Sequence, residues 1–188
     1  MILFVNACVR KESRTLRLAK ALLTKLSGEV EEVKLEDVDF GVISQKFLND
    51  RDADIAEGRF DGSEYELARQ FARADTIVLA VPYWDLSFPA MFKQYVEHIN
   101  VLGITFNYTP EGFPVGLCKA QKLYYVMTAG GSLVPEEYGY SYVKALAQNF
   151  YGIQDVRILK ATGLDIYGAD VEQIMNDAIA KIDSIVEG

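Results

Sequence analysis

Thr76-Ile77-Val78-Leu79-Ala80-Val81 runs directly into Pro82-Tyr83-Trp84-Asp85-Leu86 and then into Ser87-Phe88-Pro89-Ala90. The first six residues form an unbroken apolar, largely β-branched run, which predicts a strand buried on both faces in the middle of a parallel sheet. Pro82 ends that strand because it has no N–H to donate to a ladder. Ser87 near a cap and Pro89 in a first turn predict a helix from Phe88 to Leu102. Ligands of open α/β sheets bind just outside the carboxyl ends of the strands. Tyr83 and Trp84 therefore either stack on a flat ligand or fill the space between strand and helix.

The flanking chain repeats the strand-then-helix rhythm. Ile2–Ala7 reads as a first strand, and Ser13–Leu26 carries apolar residues at Leu16, Ala19, Leu22 and Leu23, the spacing of an amphipathic helix. Glu29–Leu35 nearly alternates, as a half-exposed strand near a sheet edge does. From Glu36 to Gly62 no period is visible, and the stretch reads as an irregular lid over the carboxyl edge of the sheet. Ser63–Ala74, Tyr138–Tyr151 and Ala169–Val186 read as helices, and Lys122–Thr128 and Val156–Thr162 as strands. Five strands alternating with five helices predict a doubly wound α/β sheet of order 2-1-3-4-5 in a single domain, residues 1–188.

Composition narrows the partners. The 188 residues carry a formal net charge of −8, which argues against nucleic acid or an anionic membrane surface. No apolar run approaches the roughly 20 residues of a membrane span, so a cytoplasmic location is expected. Cys8 and Cys118 have no metal-ligand spacing and are expected as free thiols. His98 is the single histidine. It leaves no sequence-visible metal site and is expected to be structural within its helix.

Three loops carry ligand chemistry. Cys8-Val9-Arg10-Lys11-Glu12-Ser13-Arg14-Thr15 leads from a strand into a helix N-terminus, whose unpaired N–H groups attract an anion. Ser13 and Thr15 with Arg10 or Arg14 either complete a phosphate cradle or are a cap with solvated charges. The loop has no glycine and matches neither the P-loop nor the dinucleotide fingerprint. Thr128-Ala129-Gly130-Gly131 either lets backbone amides approach a ligand or is a bare turn. These loops and residues 83–86 follow the first, third and fourth strands, which are neighbours in the 2-1-3-4-5 order. Together they describe a ligand with a phosphate, a flat ring and a hydrogen-bonding ring edge, as in riboflavin phosphate. On an insertion, Phe106 and Tyr108 share one face of an extended arm, as a core clip or as an aromatic wall for a ligand or a partner subunit.

On these residues the chain resembles the flavodoxin-fold FMN-dependent oxidoreductases of the NADH-azoreductase and quinone-reductase group over nearly its whole length. Ser13-Arg14-Thr15 falls at that family's Ser-x-Ser/Thr phosphate loop, and Cys8 near another hydroxyl position. Pro82-Tyr83-Trp84-Asp85-Leu86 falls at a Pro-Met-Tyr-Asn-Phe-type segment along the isoalloxazine. Thr128-Ala129-Gly130-Gly131 matches the Ser/Thr-x-Gly-Gly loop at the flavin pyrimidine. Gly103-Ile104-Thr105-Phe106-Asn107-Tyr108 is similar to a Gly-x-Thr-Phe-x-Tyr arm by the active site at the dimer interface. Cys8 in place of serine, Asp85 in place of asparagine and Leu86 in place of an aromatic are departures. The resemblance implies a homodimeric FMN enzyme passing two electrons, by ping-pong hydride chemistry, from NADH or NADPH to a quinone, azo or similar small aromatic acceptor. An electron carrier of the flavodoxin type and a flavin-free regulatory module are the competing classes.

Overall fold

In the computed structural model, which describes residues 1–187, the apolar run is β3 (Thr76–Ala80), hydrogen-bonded on both sides. It pairs in parallel with β1 (Ile2–Asn6), Ile2 opposite Thr76, and with β6 (Lys122–Thr128), Thr76 opposite Lys122. The outer strands are β2 (Val30–Lys34) beside β1 and β7 (Asp155–Ala161) beside β6. The sheet order is β2-β1-β3-β6-β7, because β4 (Phe106–Tyr108) and β5 (Pro114–Gly116) form a separate antiparallel hairpin. Counting sheet strands alone gives 2-1-3-4-5, the order expected. The fold is a doubly wound α/β sheet.

Helices cover both faces. On one lie α1 (Arg14–Leu23), α6 (Val171–Ile179) and α7 (Ile182–Glu187), over an aliphatic layer of Ile2, Leu18, Leu22, Val78, Val126 and Met175. On the other lie α3 (Glu66–Arg73), α4 (Ala90–Ile99) and α5 (Tyr140–Leu146), over an aromatic layer that includes Phe71, Phe92, Tyr95, Tyr125 and Tyr151. Side chains alternate along β3, Ile77 and Leu79 serving the second layer and Val78 and Ala80 the first. That alternation is why the strand is apolar throughout.

Four expectations need correction. Residues 36–62 are not an irregular lid: they contain α2 (Gln45–Glu57), N-capped by Ser44, which accepts from Phe47 N, and closed by Gly58 at φ 67°. None of its residues is buried, so the charged sequence shows no apolar stripe. The segment leans on the C-terminal half of α4, where Arg51 donates to Glu97 O and the rings of Phe40 and Phe47 meet His98. The helix predicted over Phe88–Leu102 begins at Ala90 with Pro89 as N-cap. Ser87 caps nothing there; its hydroxyl donates to Tyr138 O. The last helix breaks at Ala180-Lys181 into α6 and α7. Finally, α5 ends at Leu146, and Ala147–Tyr151 continue as a wider π turn closed by Gly152 at φ 78°.

Candidate active site

The chain leaves β1 through Ala7, whose N–H donates to Ala80 O, and Cys8, whose N–H donates to Asn6 Oδ1 at 3.0 Å. It then turns outward at Val9 and Arg10 and enters α1. Ser13 is the N-cap, its hydroxyl accepting from Leu16 N at 3.2 Å. Thr15 is buried in the first turn, 2.6 Å from the hydroxyl of Thr128. That contact joins the first loop to the end of β6. The loop after β3 is joined to the same strand by Tyr83 N, which donates to Thr128 O at 3.1 Å.

The result is a cleft of about 210 Å³ at the carboxyl edge. Of the residues singled out from sequence, Arg10, Ser13, Arg14, Thr15, Pro82, Tyr83, Trp84, Thr128, Ala129 and Gly130 line it. Sequence reasoning missed Val9, Glu12, Leu164 and Asp165, which line it too. Leu164 and Asp165 come from the turn after β7, where Leu164 N donates to Ala129 O and Asp165 N to Gly130 O. The Gly163 and Gly168 turn signals flanked them, but no chemistry marked the segment as a fourth loop.

Cys8, Asp85, Leu86 and Gly131 are placed otherwise. Cys8 is buried under the cleft floor with its thiol directed at Ala80 O, and burial pushes its pKa up to about 11. It is a protonated core thiol rather than a wall residue. Trp84 and Ser87 exchange both N–H···O bonds, at 3.1 and 2.7 Å, around Asp85 at φ 50° and Leu86 at φ 67°. Positive φ at both central residues is the signature of a type I′ hairpin turn, whose usual sequence is Asn-Gly. Asp-Leu hides it. The turn points Asp85 and Leu86 into solvent, and Asp85 is not a helix cap.

The glycine loop also reads differently in space. A Cβ on Gly130 would come within 2.2 Å of Asp165 Oδ2, so Asp165 accounts for the glycine there; at Gly131 a Cβ meets nothing within 4 Å. Phe106 is a core clip, buried and edge-on to Phe150 at 5.0 Å. Tyr108 packs on Phe106 but is 49% exposed, and neither lines the cleft. His98 is buried, its ring nitrogens 2.8 Å from Gln94 O and Phe40 O, in a structural tie between α4 and the chain before α2.

The cleft offers graded chemistry. At one end stand the N–H groups of α1, the Ser13 hydroxyl and Arg10, which has no ion-pair partner among the described residues. This is a donor set for a phosphate. At the other end stand the Tyr83 and Trp84 rings. Tyr83 is fixed by its hydroxyl, which donates to Pro135 O, and its pKa is raised by burial and by Glu137 and Tyr138. No group of three or more potential metal ligands occurs among the described residues.

A family profile described as flavodoxin-like fold matches residues 1–186. The chain belongs to this family. Across 99% of its length it is 32% identical to an FMN-dependent NADH:quinone oxidoreductase of Clostridium perfringens, covering 98% of that protein. It is 33% identical to one of Clostridium beijerinckii, with 96% and 94% covered. Among solved structures, an azoreductase of Bacillus anthracis superposes with a TM-score of 0.82 at 24% identity, covering 98% of this chain and 97% of that one. An FMN-dependent NADH-azoreductase of the same species, in complex with FMN, gives 0.79 at 23%. At that identity the structural matches speak for the fold alone.

Proposed function

We propose that the chain is an FMN-dependent NAD(P)H oxidoreductase that delivers two electrons to quinone, azo or related aromatic acceptors. The observation that carries this reading is the single cleft in which phosphate donors, two aromatic rings and a glycine loop meet at the carboxyl edge of β1, β3 and β6. The Clostridium relatives, at about a third identity over nearly the whole chain, support the choice of cofactor and of NADH.

FMN, when bound, supplies hydride chemistry between a nicotinamide and an acceptor. The residues of the chain hold and orient it. Ser13, Arg10 and the N–H groups of α1 would take the phosphate, Tyr83 and Trp84 would flank the ring, and the loop at 129–130 would adjoin the ring edge. A cleft of about 210 Å³ is below the roughly 300 Å³ at which ligand pockets begin. Its residues would hold the phosphate end, and in this proposal donor and acceptor would use the exposed ring face in turn, the ping-pong order. Cys8 is protonated and buried and takes no part.

Beyond Tyr83, the exposed side chains of Trp84, Leu86, Leu133 and Tyr138 lie on two segments tied by the Ser87–Tyr138 and Tyr83–Pro135 hydrogen bonds, forming an apolar rim. Such a rim fits burial by a second copy of the chain. Homodimerisation is therefore part of the proposal, tested by light scattering at micromolar concentration, where a monomer would remove it. No helix among the described residues is long and apolar enough to cross a membrane; a cytoplasmic location is part of the proposal.

The test is the visible spectrum of the purified protein, followed by anaerobic NADH and then a quinone. A yellow protein that NADH bleaches and the quinone recolours is expected. A colourless protein that leaves the fluorescence of added FMN unchanged overturns the reading. A yellow protein that NADH leaves oxidised is an electron carrier instead.

A further inference from the structure

Asp165 stands in the wall of the cleft beside the proposed phosphate donors, where an anion-binding site has no evident use for a carboxylate. Its Oδ1 accepts from Arg14 Nη1 at 2.7 Å, and the same nitrogen donates to Leu164 O at 3.3 Å. Its other oxygen packs against Gly130, and its N–H donates to Gly130 O at 2.9 Å. Asp165 thus fastens the first loop to the glycine loop. Arg14, which the sequence offered as a phosphate ligand, is engaged elsewhere.

An ionised carboxylate near a bound phosphate opposes it, and the guanidinium beside it cancels that opposition. The pair carries no net charge, so attraction for the anion rests on Arg10, Ser13 and the N–H groups of α1. We propose that Arg14 and Asp165 together determine how strongly the cleft prefers a phosphorylated flavin over an unphosphorylated one. Asp165 is a positioning residue that holds Arg14 off the phosphate and limits how tightly the cofactor is kept. This rests on the FMN reading above. Asp165→Asn keeps the side-chain shape against Gly130 while releasing Arg14 toward the phosphate. Arg14→Gln does the reverse, leaving a bare carboxylate in the wall. Riboflavin has no phosphate and is indifferent to both.

The experiment is a fluorescence titration of FMN and of riboflavin against wild type, Asp165→Asn, Arg14→Gln and the double variant, at low and high salt, with melting curves as a fold control. Because both side chains are substantially exposed, at 40% and 66%, the expected changes are moderate. FMN binds roughly five-fold tighter to Asp165→Asn, roughly ten-fold weaker to Arg14→Gln, and within about two-fold of wild type in the double variant. Riboflavin stays within about two-fold throughout, and raised salt compresses the FMN differences. Parallel shifts for the two flavins, or equal FMN affinity in all four proteins, overturn the inference while leaving FMN binding intact. Wild type binding neither flavin overturns both.

Discussion

The two ends of the sheet are built from the same strands and treat charge in opposite ways. At the amino end, where β1 and β3 begin, Asp75 takes both the N-terminal ammonium and Lys119, the latter at 2.6 Å. Nearby, Arg157 holds Asp155 and donates to the carbonyls of Ile185 and Val186 at the end of α7. Charges there are matched and the backbone is stitched. At the carboxyl end Arg10 has no ion-pair partner among the described residues, the first turn of α1 presents open N–H groups, and a hairpin turn holds two residues at positive φ. One end holds the sheet together and the other leaves donors unsatisfied, which is what a ligand site requires. The contrast breaks if changes at either end have the effect proper to the other.

The largest expected effect is at the carboxyl end. Ser13→Ala with Thr15→Ala removes the Ser13 hydroxyl from the phosphate donors and the Thr15 hydroxyl that ties the first turn of α1 to Thr128, a hydrogen bond to a charged group being worth roughly 1.5–3 kcal/mol. FMN affinity should fall by about 100-fold in a fluorescence titration, while thermal unfolding loses only about 1–2 kcal/mol from the missing cap and the Thr15–Thr128 contact. Unchanged affinity with a large loss of stability would make Ser13 an ordinary cap.

The amino end should answer in stability and not in binding. Lys119, and after it the N-terminal ammonium, hold the Asp75 pKa down at about 2, from an ordinary value of 3.8. A carboxylate lowered on folding stabilises fully above its unfolded pKa, and that contribution is lost as pH falls from about 4 toward 2. Wild type should therefore melt above Asp75→Asn at neutral pH, and the gap should close on that acid limb. FMN affinity should be equal in the two proteins. A gap undiminished as pH falls to about 2 and below would show that the Asp75 side chain stabilises through something other than its charge.

The same contrast explains what could be read in advance. β3, the strand order and the helix-cap chemistry of Ser13 follow from local rules: apolar runs, period and capping residues. The cleft's donors were legible because a strand end followed by Ser-Arg-Thr is itself a local pattern. Asp165 was not, since its meaning comes from Arg14, 151 positions away, and from Gly130, on another loop. Asp75 was invisible for the same reason. In α2 the residues facing α4 are Phe47 and Arg51, the guanidinium lying 4.5 Å from the Phe47 ring centre, so the contact face is part charged and has no apolar period. The caps Ser44 and Gly58 were the available signal. In the turn at 84–87 the backbone hydrogen bonds prevail over residue preference, and Asp-Leu adopts what Asn-Gly usually does.

That turn allows a smaller test. Leucine in the left-handed region costs roughly 1–2 kcal/mol, and glycine there avoids the cost but adds about 0.4–1 kcal/mol of unfolded-chain entropy. Leu86→Gly should thus stabilise by about 0.5–1 kcal/mol, a rise of about 2–3 °C for a chain of this size. Leu86→Val, with a β-branched residue at φ 67°, should lower the melting temperature. If both variants melt below wild type, the exposed Leu86 side chain is contributing contacts, such as those of a dimer, that outweigh its strain.

The smallest effect is expected at Asp85, which stands where the family pattern has asparagine. An ionised carboxylate beside a flavin ring opposes the negative charge that reduction adds, so replacing it by asparagine raises the midpoint potential. The size depends on where the carboxylate points. Asp85 lies at a turn tip, exposed and outside the residues that line the cleft. Water then sets the dielectric: at about 8 Å the interaction is roughly 0.5 kcal/mol before salt screening, on the order of 10 mV in a two-electron couple. Redox titration of wild type and Asp85→Asn, each loaded with FMN, should show a rise no larger than that. Asparagine also accepts positive φ readily, so the turn should be kept and stability unchanged within about 0.5 kcal/mol. A rise several times larger would mean that Asp85 turns inward when the cofactor binds, and that the hairpin moves rather than standing as a fixed rim of the cleft.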